Sequence, residues 1–170
     1  MENIADVSIA IIEQGNDLLK QRMDDLEKQI LCSENQVEPP VLHYFTPGLY
    51  TREIYMERGT VIISKIHKTE HPFVISKGSA YVKKNDGNWE LLEAPYTGIT
   101  YPGTRRVLII EEDCIWTTFH PTDLSPTDFT EEGINKTVAA IEDVIIEKNI
   151  EMIGFKDEFL NNKNIDACHG

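Results

Sequence analysis

Residues 59–78 read GTVIISKIHKTEHPFVISKG. Strand signals and ionisable side chains coincide here, and the reading of this stretch decides the fold. An apolar run from Val61 precedes two histidines, His67 and His71, and a second apolar run, Phe73 to Ile75, follows them. Residues two apart on a strand point to one face. A strand over Thr60–His67 therefore places Lys65 and His67 on one side, together with Val61 and Ile63. The second run predicts a strand over Pro72–Ser76, with Lys77-Gly78 as the turn that ends it.

The β texture continues on both sides. VLHYF at 41–45 and LYTREIYM at 49–56 flank Thr46-Pro47-Gly48, and Arg58-Gly59 forms the next turn. Downstream, Ser79–Lys83 is a strand. Asp86-Gly87, within Asn85–Asn88, marks a hairpin, and Trp89–Leu92 pairs back. Pro95 to Gly103, rich in proline and glycine, reads as a bent, edge-like connection. Arg106–Ile110 and Ile115–His120 predict a last hairpin around Glu111-Glu112-Asp113. On its second strand Trp116, Thr118 and His120 share one face, and Ile115, Thr117 and Phe119 the other. Short strands with a turn about every ten residues indicate an all-β sandwich or barrel.

Helical periodicity appears only in the flanks. Ile9, Ile12, Asn16, Leu19, Met23, Leu26 and Ile30 step by three and four, which predicts a helix from Ile4 to about Leu31. The heptad register serves either oligomerisation, as a dimer or trimer, or packing on the chain's own domain. Cys32–Pro40 is a linker. Ile134, Val138, Ile141, Ile145 and Met152 predict a second helix to about Ile153, stopped by Gly154. The chain thus divides into an N-terminal helix and linker (1–40), a β domain (41–123) and a C-terminal loop, helix and tail (124–170).

The 170 residues are 41% hydrophobic, enough for a folded core. The net charge of −13 is unevenly placed: −6 over residues 1–40, −1 over 41–123 and −6 over 124–170. An acidic surface disfavours general nucleic-acid or anionic-membrane binding, which needs clustered Lys and Arg. No apolar run approaches the roughly 20 residues of a membrane span. The acidic start lacks the basic region of a secretory signal. Cys32, Cys114 and Cys168 form no CxxC pair, so a reducing cytoplasm is expected. The nearly neutral middle leaves room for a local cationic pocket.

Two spaced motifs in that middle resemble those of the cupins, the small double-stranded β-helix or jelly-roll proteins. Gly59, Lys65, His67, His71 and Gly78 match the spacing of the family's first motif, glycine, His-x-His, glutamate, glycine. Lys65 stands at the first histidine and His71 at the glutamate. In the second motif, Pro102 and Gly103 precede Arg106, which stands at the histidine. HYFTPGLYTREI, KIHKTEH, SKG, APYTG, PGTRRV and IWTTFHPTD are similar to short cupin-like proteins encoded by tailed bacteriophages. The resemblance covers residues 41–123. It implies a single cupin barrel with an amphipathic helix on each side, located in a host cytoplasm or in a virion.

A barrel mouth holding Lys65, His67, His71, Arg106 and His120 supports two readings. In one, His67 and His71, with Glu70 or His120, hold a divalent ion such as zinc, iron, nickel or manganese. In the other, the cations at two of the four ligand positions make a pocket for a small anion, phosphate- or nucleotide-like. Tyr50, Tyr101 or Trp116 would then offer a stacking surface. Blander readings stand beside these: His43 and His120 as structural hydrogen-bonders, and Arg105-Arg106 as a solvated turn pairing with Glu111-Glu112. No nucleophile–base pair, P-loop or dinucleotide motif is present. The expectations are therefore a non-catalytic binder sequestering a host signal, a metal-dependent isomerase, lyase or dioxygenase, or a virion component.

Overall fold

The computed structural model describes residues 18, 21–32, 34–83, 88–147 and, for the backbone, 153–156. In chain order these form α1 (residues 21–31), β1 (Gln36–Val37), β2 (Val41–Thr46), β3 (Leu49–Met56), β4 (Thr60–Ile63), β5 (His71–Lys83), β6 (Trp89–Glu93), β7 (Tyr96–Thr100), β8 (Val107–Pro121), α2 (Glu131–Ile145) and β9 (Ile153–Lys156).

Two long strands organise the rest. The first half of β8 lies between β4 and the end of β5, and its second half between β3 and the start of β5. β6 extends one end of β5 and β7 the other. One layer therefore runs β9-β4-β8-β5-β6 and the other β2-β3-β8-β5-β7, with β5 and β8 bending from layer to layer. All named pairings are antiparallel, and the inner faces pack into one core of Ile54, Met56, Ile62, Phe73, Ile75, Val82, Ile110 and Trp116 among others. The molecule is a mainly-β jelly-roll barrel with a helix near each end.

The bend corrects two turns expected from sequence, the strand end at Lys77-Gly78 and the hairpin at Glu111-Glu112-Asp113. Lys77-Gly78 does not end a strand, and Glu111-Glu112-Asp113 does not turn the chain. Each is the elbow of a single strand, 13 and 15 residues long respectively. The β5–β8 register slips between Ile75 and Ala80, as β-bulges require. Gly78 there has φ +76°, and a Cβ on it would collide with the Asp113 carbonyl. Only glycine fits. Likewise Pro95–Gly103 contains a strand, β7, paired with β5. The expected turn at Asn85–Asn88 falls mostly on residues 84–87, outside the described residues.

β4 is shorter than the predicted strand and ends at Ile63, all four of its residues buried. Ile62 faces the core. Val61 and Ile63, with Val107 and Ile109, lie under Met23, Leu26 and Ile30 of α1. Those three heptad positions thus pack on the chain's own barrel, the full burial of Met23 and Ile30 contributing about 1.5–3 kcal/mol each. Ile9, Ile12, Asn16 and Leu19 fall outside the described residues. Arg105, only 5% exposed, anchors α1 further by donating to Asp24 at 2.7 Å and Glu27 at 2.6 Å. It is no solvated turn, and its partners are not Glu111 and Glu112.

α2 begins at Thr130, whose hydroxyl accepts from the Gly133 amide at 3.2 Å. It stops at Ile145, before the predicted end, because the next residues join the barrel. Lys68 N donates to Ile145 O at 2.8 Å, Glu147 N donates to Ile66 O at 3.0 Å, and Ile146 bridges His67. Ile153–Lys156, expected as helix end and stop, pairs with β4 instead. Apolar burial of Ile141, Ile145 and Ile146 against Tyr50 fixes α2 across one end of the barrel.

Gly48 and Gly78 share the same left-handed φ, but nothing lies within 4 Å of a Cβ on Gly48. Gly48→Ala is expected to cost about 1 kcal/mol for its backbone alone. Gly78→Ala adds the collision and is expected to cost about 3 kcal/mol. Urea midpoints of the two variants measure the difference.

Candidate functional site

The site lies where α2 crosses the barrel end. Past Ile63 the chain leaves the strand, and the alternation of faces is reset. Had β4 continued, Lys65 and His67 would share the outer face of Val61 and Ile63, beneath α1. Instead they line an interior cavity with Ile62 and Ser64. The expected grouping with Val61 and Ile63 is therefore wrong, while the convergence of Lys65 and His67 stands.

The 101–106 loop completes this wall. Ser64 N donates to Arg106 O at 2.9 Å, and Arg106 N donates to Ser64 Oγ at 2.8 Å. Gly103 N donates to His67 O at 2.7 Å. Paired this way, Arg105 points out to α1 and Arg106 points in. The Arg106 guanidinium donates to Thr100 Oγ1 at 2.9 Å and lies 5.2 Å from the Phe73 ring centre. Phe73 is stacked on Trp116 at 4.5 Å. A Cβ at Gly98 would stand 2.5 Å from the Phe73 ring, so the glycine makes room for this stack.

The cavity measures about 60 Å³. Ile54, Met56, Ile62, Leu108 and Trp116 supply its apolar lining, and Arg52, Ser64, Lys65, His67, His71, Thr100, Arg106 and Thr118 its polar lining. Sequence reasoning found Lys65, His67, His71, Arg106 and Trp116 but missed Arg52, Ser64, Thr100 and Thr118. Arg52 was legible: it shares the strand face of the buried Tyr50, Ile54 and Met56, where a charge needs a reason. Tyr101 is 59% exposed and does not line the cavity, and Tyr50 is buried behind it. Trp116 is covered by Phe73. Of the three expected stacking surfaces, Tyr50 and Tyr101 lie outside the cavity lining, and Trp116 belongs to it while stacked on Phe73.

Glu142 of α2 was also missed. Its carboxylate lies 3.6 Å from Arg52 Nη1 and 3.2 Å from Lys65 Nζ. It sits in the stripe Val138, Ile141, Ile145 that faces the barrel. The last turn of α2 carries no basic residue. Barrel cations supply the positive charge that a helix C-terminus favours, Lys68 Nζ also donating to the Asp143 carbonyl at 3.3 Å.

His67, half-buried, forms a cluster with the buried His71 and His120. Ring centres of His71 lie 4.4 Å from His67 and 4.3 Å from His120. His71 Nδ1 donates to the Thr69 carbonyl at 3.3 Å, and His120 Nε2 contacts Thr118 Oγ1 at 3.0 Å. His67 Nδ1, His71 Nε2 and His120 Nδ1 are buried without a hydrogen-bond partner. Burial, then the neighbouring ring of His71, pushes His67 and His120 down to about 3, and burial lowers His71 as well. All three are neutral at pH 7. His43 instead bonds the Tyr50 hydroxyl through Nδ1 at 2.7 Å, a structural role.

Neutral imidazoles suggest a metal, but the arrangement does not fit one. Among the described residues, no group of three or more His, Cys, Asp or Glu side chains is placed to hold an ion. Lys65 and Arg106 in the same cavity repel a cation besides.

Comparison with known proteins gives fold likenesses only. No family model and no curated protein matches the chain. A cupin-2 domain protein from Shewanella frigidimarina is 14% identical, with a TM-score of 0.41 over 57% of this chain and 92% of that one. An RmlC-like cupin from Methanocaldococcus jannaschii is 10% identical, with 0.43 over 54% and 86%. Ectoine synthase from P. lautus is 9% identical, with 0.44 over 55% and 74%. The jelly roll itself is defined by the strand order and registers given above. No helix among the described residues is long and apolar enough to cross a membrane.

Between pH 6.5 and about 3 the unfolded chain binds protons that His67 and His120 refuse when folded. Stability is therefore full above pH 6.5 and falls as the pH drops, by up to about 1.4 kcal/mol per pH unit for each ring. His120→Gln is expected to flatten the slope by about one proton's worth. Urea midpoints between pH 5 and 8 read this directly.

Proposed function

We propose that the protein binds a small anion, a carboxylate or phosphate group, inside the jelly roll, with Arg106 as its principal contact. One observation carries the reading. Arg106 lines the cavity half-buried, and among the described residues no carboxylate pairs with it. Burial lowers its pKa, yet a guanidinium stays charged. Withdrawing a charge from water without a counterion is unfavourable, and a bound anion offsets that cost. Arg52, Lys65 and Arg106 line the cavity, and among the described residues the one carboxylate paired with any of them is Glu142, on Arg52 and Lys65, so the site is net cationic in a protein of charge −13.

Size narrows the ligand. A cavity of about 60 Å³ is well below the roughly 300–1,000 Å³ of drug-sized sites. It accepts an acetate- or phosphate-sized group, and a nucleotide could insert only its phosphate. Binding without catalysis is the simplest use of so small a pocket. The motif resemblance to phage-encoded proteins adds a setting, the host cytoplasm, in which such binding would sequester a host metabolite.

Purified protein is expected to carry well under one equivalent of zinc, iron, nickel or manganese by elemental analysis. Acetate, malonate or phosphate at about a hundredfold its Kd should raise Tm by 5 °C or more, following a stabilisation of about 2.7 kcal/mol. Arg106→Gln should remove the shift. An unchanged shift in that variant would overturn the assignment.

A further inference from the structure

Glu142 is the one side chain of α2 that forms ion pairs with the cavity lining. Its two carboxylate oxygens are divided between Arg52 at 3.6 Å and Lys65 at 3.2 Å. All three side chains are at least half covered, 13%, 17% and 27% exposed for Arg52, Lys65 and Glu142. The pairing is incomplete on the arginine side. At 3.6 Å the Arg52 contact is longer than a hydrogen bond, and Arg52 Nε is buried without a partner. A carboxylate tethered to a helix reaches these cations but does not satisfy them. A free carboxylate can adopt the bidentate geometry that a guanidinium prefers.

Resting on the anion-binding reading, we propose that Glu142 is a tethered competitor for the ligand. It holds the Arg52–Lys65 seat when the site is empty, and a small organic carboxylate displaces it. The seat's shape points to carboxylates, since a carboxylate occupies it already. Displacement has a structural consequence. Beyond Glu142, the end of α2 is held by the Lys68 bonds to Asp143 O and Ile145 O, by Glu147 N to Ile66 O, and by apolar packing on Tyr50. Loss of the ion pairs removes the polar latch on the side facing the cavity. Carboxylate binding thus loosens α2, and the residue that selects the ligand also reports its arrival.

The test uses the full chain, malonate and inorganic phosphate as probes, and three proteins: wild type, Glu142→Gln and Glu142→Ala. Titration calorimetry gives affinity, and hydrogen exchange of residues 131–147 gives the state of α2. Circular dichroism confirms that each variant is folded. Both variants should bind malonate about tenfold tighter than wild type, the effect of about 1.4 kcal/mol of removed competition. Malonate should raise exchange at 131–147 in wild type toward the level of the ligand-free variants. Phosphate should gain less from either substitution. Equal malonate affinity in all three proteins overturns the proposal, with anion binding itself intact. Tighter binding with no rise in wild-type exchange also overturns it, because simple charge removal then explains the gain. If neither probe binds any of the folded proteins, the anion-binding reading fails and this proposal with it.

Discussion

The close approach of Gly78 to the Asp113 carbonyl lets two long strands bend together. β5 and β8 each belong to both layers of the barrel, and a strand can change layers only where its ladder is interrupted. The bulged register between Ile75 and Ala80 provides the interruption, and the missing side chain at Gly78 lets the backbones touch. Everything at the open end follows from this elbow. It brings His71, at the start of β5, beside His120, near the end of β8, and it sets Phe73 on Trp116 beneath Arg106.

Charge is sorted by neighbouring residues with opposite fates. Arg105 turns outward and is neutralised twice, by Asp24 and Glu27 of α1. Arg106 turns inward, bonds one hydroxyl and rests on an aromatic face. The first is structural glue between helix and barrel. The second leaves a positive charge in a small space with no anion of its own. Burial keeps the three histidines neutral beside it, since more positive charge in the cavity would cost more than the rings gain by ionising.

Both helices close faces that the barrel cannot close alone. α1 covers the outer side of β4 and the start of β8, which explains why every residue of β4 is buried. α2 covers the end that holds the cavity, joined to it by apolar packing and by a carboxylate shared between two cations.

The sequence by itself determined the β character of residues 41–123, the helices beside it, and part of the cavity lining, namely Lys65, His67, His71, Arg106 and Trp116. Local propensity, turn chemistry and period-two burial act within a few residues, so they show in a linear reading. The shared face of Trp116, Thr118 and His120 was legible for that reason, as was the unusual charge of Arg52 on an apolar face. Tertiary structure alone decided that an apparent turn and an apparent hairpin are elbows of single bent strands. The elbow depends on Gly78 meeting a backbone 35 positions later in the chain. It alone decided that the strand phase breaks after Ile63, that Arg105 and Arg106 part, and that Glu142 reaches Arg52 and Lys65. Each of these depends on a partner supplied by a distant segment, and no local rule records which partner arrives.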